Sequence, residues 1–118
     1  MEPLRVAMMQ LLPTGDQEGN LQKGLAACRE AKRMGADIAV FPEMWNIGYH
    51  MPKNMETLSA IAVAADSPFV RRFGEVAAEL DMAVAVTLLE AYQPSPRNTV
   101  CLWDRHGHLA LTYAKVHT

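Results

Sequence analysis

The sequence lacks the features that would place it in a membrane or on a nucleic acid. No apolar stretch is long enough to cross a bilayer. The N-terminus, Met1-Glu2-Pro3-Leu4-Arg5, has neither the basic start nor the long apolar core of a signal peptide. Eleven Lys and Arg against 13 Asp and Glu leave a formal charge of −2, which favours neither a polyanion nor an anionic surface. Cysteine occurs only twice, at Cys28 and Cys101, on segments that read as regular and buried. With no secretory signal, both are expected to be reduced packing residues rather than a disulfide, and a cytoplasmic location follows. Repeats, low-complexity tracts and linkers are missing as well, so the 118 residues read as a single piece with a modest core.

What is present is an alternation of strand-like and helix-like segments. Arg5–Leu11 reads as a strand, broken by Pro13-Thr14-Gly15-Asp16. A helix is predicted from an N-cap at Asn20 to about Met34, with Leu21, Leu25, Cys28 and Ala31 on its buried face and Gly35 ending it. Gly24 inside that helix costs roughly 1 kcal/mol against Ala, which points to close packing. Asp37–Phe41 is a second strand, so the opening is a βαβ unit with a right-handed crossover. After an irregular stretch, residues 54–65 read as a short helix. Ser67-Pro68 starts another, with an apolar stripe of Phe69, Val70, Phe73, Val76 and Leu80. Ala83–Leu89 and Asn98–Trp103 are further strands. A turn at Asp104-Arg105-His106-Gly107 leads into an antiparallel strand, Leu109–Ala114. The pattern is that of an α/β layered fold with a mixed sheet.

Two charged residues stand at strand ends. Pro42 cannot donate to a ladder, so pairing stops there, and Glu43 is delivered at the carboxyl end of a buried strand. That is where open α/β sheets place their sites. Lys115 follows the last strand in the same way. Taken alone, each is more ordinarily a solvated charge. Trp45 and Tyr49, in the loop after Glu43, would line a pocket or simply pack. His50, His106, His108 and His117 show no helix-type ligand spacing, so no metal site and no cofactor are expected.

The ordered set Phe41-Pro42-Glu43, Gly48-Tyr49, Arg97-Asn98-Thr99-Val100, Asp104-Arg105-His106-Gly107 and Tyr113-Ala114-Lys115-Val116-His117 resembles the nitrilase superfamily, the carbon–nitrogen hydrolases. The resemblance covers essentially the whole chain but only the first half of a family member. It implies an α/β fold that is the N-terminal half of a four-layer αββα sandwich. It also implies a Glu–Lys–Cys triad hydrolysing non-peptide C–N bonds of a small amide, carbamoyl or nitrile compound. Glu43 matches the family's general base and Lys115 its lysine. Of the two aromatic residues after Glu43, Tyr49 is the one expected to bind substrate. The family's cysteine, and a further glutamate that often precedes it, would follow later in the chain. Residues 1–118 are therefore expected to be the N-terminal part of one hydrolase domain, truncated before the nucleophile and inactive alone. The implied partners are the small substrate and either a second copy or a missing C-terminal half, with no nucleic acid and no membrane. The alternative is a catalytically inactive fragment serving as an association or binding module, motivated by the absent thiol and by the bare sheet face that half a sandwich leaves.

The chemistry needs these residue types for a physical reason. A thiol near neutral pH is mostly protonated and must lose its proton to a nearby carboxylate before it attacks. Attack puts negative charge on the substrate's oxygen or nitrogen, and an ammonium facing that atom stabilises it.

Overall fold

A computed structural model describes residues 3–47 and 54–115. Its elements follow chain order: β1 (Val6–Met8), α1 (Gln17–Arg33), β2 (Ile38–Val40), α2 (Met55–Ile61), α3 (Pro68–Leu80), β3 (Ala83–Glu90), β4 (Arg97–Trp103) and β5 (Leu109–Ala114). The five strands form one sheet in the order β1-β2-β3-β4-β5. The first three are parallel, with Ala7, Ala39 and Val84 in one row. β4 and β5 then return antiparallel, with Val86 opposite Cys101 and Cys101 opposite Thr112. This is the mixed α/β sheet that the pattern of apolar runs implies. β1 is shorter than the apolar run Arg5–Leu11, because its partner β2 leaves the ladder at Val40, two residues before Pro42.

Strand alternation gives the sheet two unlike faces. Ala39, Val84, Val86, Leu88 and Cys101 point to the side covered by α1 and α3, and all are buried. There they meet Leu25, Cys28 and Ala31 of α1 and Phe69, Val70, Phe73 and Val76 of α3. The aromatic centre of this layer is Phe73, 5.1 Å from the Phe41 ring in an edge-on arrangement and 5.5 Å from Phe69. Gly24 lies against it: a Cβ there would come within 2.7 Å of Trp45 Nε1 and 2.9 Å of Phe73 Cζ. Close approach of α1 to the aromatic cluster is thus the reason for a glycine inside a helix. The other face carries Met8, Val40, Ala85, Leu102 and Leu111 in one row and Val100 and Tyr113 in the next. No helix covers it among the described residues. Met8 is 72%, Leu111 54% and Tyr113 60% exposed.

The cap of α1 differs from the expectation. Asp16, not Asn20, is the N-cap, its side chain accepting from Gly19 N at 2.6 Å. Asn20 is buried one turn further in. Its Oδ1 accepts from Thr14 N at 2.6 Å, and its Nδ2 donates to Asn46 O at 3.3 Å. Both residue types cap helices, and tertiary partners recruit the second to tie two loops together. α2 ends at Ile61 rather than near residue 65, because Val63 leaves the helix to bridge Glu90. Ser67 holds the N-cap position of α3, with Pro68 following it, but its hydroxyl makes no cap bond.

The β4–β5 turn is stabilised by Asp104, whose Oδ1 accepts from His106 N at 2.9 Å and from His108 N at 3.0 Å. Gly107 takes φ +80° there, against the backbone of Gly74. The N–H of His108, more than any other group, holds the Asp104 carboxyl below its usual range; His106 N–H adds to it and partial burial opposes it. Because the folded form has the lower pKa, this contribution is complete above the unfolded value of about 3.9 and fades as pH falls through the folded one. Asp104→Asn is therefore expected to narrow its Tm deficit against wild type as pH is lowered below about 4. Melting curves of both proteins across that range check this.

Candidate active site

Glu43 and Lys115 meet. Lys115 Nζ lies 4.0 Å from Glu43 Oε1, and both side chains are more than half exposed. The two residues come from strands that run in the same direction and are separated in the sheet by β3 and β4. They stand at the carboxyl ends of β2 and β5, on the open face. Together with Thr87, Asn98, Thr99, Val100 and Tyr113 they line an open hollow of about 320 Å³. An exposed ion pair at this separation adds little to stability, so its geometry is of interest for chemistry rather than for folding. Larger hollows, of about 570 and 620 Å³, flank α3 on the helix side and contain neither residue.

The backbone around each residue is held firmly. Lys115 N donates to Asn98 O at 2.8 Å, which continues the β4–β5 ladder past Ala114. On the other side, Phe41 N donates to Ala85 O at 3.1 Å, and the chain then leaves β3 at Pro42. Met44, directly after Glu43, sits in the left-handed region at φ +50°, unusual for a side-chain-bearing residue and a mark of a conformation imposed by its surroundings. The loop returns to β3 at Asn46, which is fully buried. Its Oδ1 accepts from Leu89 N at 2.7 Å, standing in for a ladder partner.

Glu90 is a polar residue of this strand-end region that the sequence pattern does not single out. It is 8% exposed, and its Oε1 accepts from Arg97 Nε and Thr99 Oγ1, both at 2.8 Å. The Arg97 guanidinium also lies 3.7 Å from the centre of the Tyr92 ring. This cluster fastens the ends of β3 and β4 beside Asn98. The signal was an acid closing an apolar strand, with Arg97 and Thr99 alternating onto its face.

Trp45 is a packing residue, 1% exposed, with its Nε1 donating to Asn20 O at 2.8 Å. Tyr49, Gly48, His50 and His117 lie outside the described residues. Cys28 and Cys101 are buried and unpaired. Burial pushes the Cys28 thiol up to about 12 despite the neighbouring Arg29 charge. The Cys101 thiol is also raised by burial, with a hydrogen bond to Thr112 working against it. A thiol so protonated and enclosed on the helix side of the sheet is a poor nucleophile for a site on the opposite face. Among the described residues, no group of three or more His, Cys, Asp or Glu is placed to hold a metal ion. No described helix is long and apolar enough to cross a membrane.

An α/β sheet with helices on one face and an acid–lysine pair at its strand ends is the frame of an α/β protein with a strand-end site. The sequence profile of one family, carbon–nitrogen hydrolase, matches residues 5–118, and the chain belongs to that family. It is 31% identical over 117 residues to the glutamine-dependent NAD(+) synthetase of Thermotoga maritima, covering 98% of this chain and 20% of that protein. It is 28% identical over 116 residues to the chloroplastic omega-amidase of Arabidopsis thaliana, covering 95% of this chain and 31% of that one. Among solved structures, an amidase from Nesterenkonia sp. superposes with a TM-score of 0.77 at 26% identity, over 97% of this chain and 43% of the amidase. The chain therefore spans less than half the length of these relatives.

Proposed function

We propose that Glu43 and Lys115 are the general base and the charge-stabilising cation of an amidase-type carbon–nitrogen hydrolase acting on small amides. The observation that carries the reading is their convergence to 4.0 Å from distant parts of the sequence, at the carboxyl ends of two strands of like direction. Glu43 would take the proton of a thiol, and the Lys115 ammonium would face the charge that develops on the substrate oxygen. Tyr49, six residues after Glu43 in the sequence, is the proposed substrate-binding residue. Structures of a relative support the substrate class: one variant of the Nesterenkonia amidase holds butyramide, and another carries acrylamide added at its active site cysteine.

The nucleophile of the proposed reaction comes from outside these 118 residues, because Cys28 and Cys101 are buried on the wrong side of the sheet. Polypeptide carrying it would lie against the bare face of Met8, Leu111 and Tyr113, which leads directly to the hollow between Glu43 and Lys115. The same bare face favours the second reading, an association module without turnover. A cytoplasmic location agrees with two unpaired cysteines. The test is ammonia release from a panel of short aliphatic amides by the protein as its source organism makes it. Release supports the hydrolase. Its absence, together with self-association or capture of a partner polypeptide on the apolar face, supports the module.

A further inference from the structure

The loop that carries Glu43 is an arch fastened at both feet by one hydroxyl, and we infer that Thr87 is the positioning residue for the general base. The inference rests on the reading of Glu43 given above. Thr87 lies in the middle of β3, opposite Val100, and is 7% exposed. Its hydroxyl donates to Pro42 O, on the near side of Glu43, and accepts from Trp45 N at 3.0 Å, on the far side. Between those two points the chain makes a turn through Glu43 and the left-handed Met44. Pro42 has no N–H to offer the sheet, and β2 has already left its ladder. The Thr87 hydroxyl does there what a ladder hydrogen bond does elsewhere.

The far foot is itself immobilised. The Trp45 ring is buried and donates to Asn20 O, and Asn46 is hydrogen-bonded to Leu89 N. The arch thus has a fixed exit, a fixed entry and a single hydroxyl spanning them, so the position of the Glu43 carboxylate is set from the sheet. Thr87 also borders the hollow between Glu43 and Lys115. Its one proton is committed to Pro42 O, so it has none to give a substrate. Its effect on hydrolysis therefore passes through Glu43.

Valine has the shape of threonine but neither donates nor accepts. Thr87→Val leaves Pro42 O and Trp45 N without their partner, and the arch relaxes. A displacement of about 1 Å at a reacting group costs up to about 100-fold in rate. The expected result is a fall in kcat of about 10- to 100-fold with KM within about twofold, and exchange of the Trp45 amide hydrogen at least about tenfold faster. Thr87→Ser keeps the hydroxyl and is expected to recover most of both. A serine variant as impaired as the valine one would overturn the inference, since the loss would then follow the methyl group and core packing. So would a valine variant with kcat within about threefold of wild type. Should the valine variant not fold, the wild-type protein still decides: its Trp45 amide must exchange as slowly as the amides within β3, and exchange at loop rates refutes the clamp. Glu43→Gln separates this failure from failure of the parent reading. Hydrolysis that survives Glu43→Gln removes the role of Glu43, whatever Thr87 does. Hydrolysis lost in Glu43→Gln but kept in Thr87→Val removes only the role of Thr87.

Discussion

Glu43→Gln is expected to lower kcat for amide hydrolysis by about 10²- to 10⁴-fold, with melting temperature nearly unchanged. Glutamine keeps the size and hydrogen-bonding reach of the side chain but cannot accept the proton of a thiol. General-base steps of this kind contribute that range to rate. Stability should hold because the Glu43 side chain is 60% exposed and its partner Lys115 is 4.0 Å away, also in solvent. The separation of the two effects is the informative part. Steady-state ammonia release and a melting curve on the same preparation measure both. A loss of activity that tracks a loss of folding would return Glu43 to the status of an ordinary surface charge.

The largest effect on stability is expected at Phe73. Its ring is fully buried, lies edge-on to Phe41 at 5.1 Å and beside Phe69 at 5.5 Å, and presses on the space that Gly24 leaves open. Phe73→Ala removes the centre of the layer between α1, α3 and the sheet, at a cost of about 3–5 kcal/mol. A loss of that size is a large fraction of the roughly 5–15 kcal/mol that holds a typical domain folded. The site is coupled to the same layer, because Phe41 is two residues from Glu43. Chemical denaturation of wild type and variant, compared at constant m, checks the magnitude.

Much of this organisation is legible in the sequence because it depends on local chemistry. The apolar run Ala83–Leu89, the Ser67-Pro68 helix start and the Asp104–Gly107 turn each encode their element within a few residues, and each is found where the pattern puts it. Delivery of Glu43 follows from a proline that stops pairing. What is not legible depends on contacts distant in sequence. Asn20 is as good a helix cap as Asp16; only its bonds to Thr14 and Asn46 show that it serves as a loop tie. Thr87 is an unremarked β-former in an apolar strand until the chain 42 residues earlier folds over it. Glu90 acquires meaning from Arg97 and Thr99 across a hairpin. The apolar character of β5 is plain from Leu109–Ala114, but that Leu111 and Tyr113 stand uncovered is a property of the assembled sheet. The sequence leaves Trp45 open to pocket or packing, and the choice falls to packing for the same reason: its environment is made by α1, not by its own loop.

On the proposed reading, Glu43 and Lys115 activate a thiol that is neither Cys28 nor Cys101. The most direct measurement is to treat the protein, as its source organism produces it, with acrylamide under native conditions and locate the adduct by peptide mass spectrometry. The expected result is a single fast adduct on a cysteine outside residues 1–118, slowed by Glu43→Gln, with Cys28 and Cys101 unmodified until the protein is unfolded. A native adduct on Cys28 or Cys101, or no fast adduct at all, would contradict it.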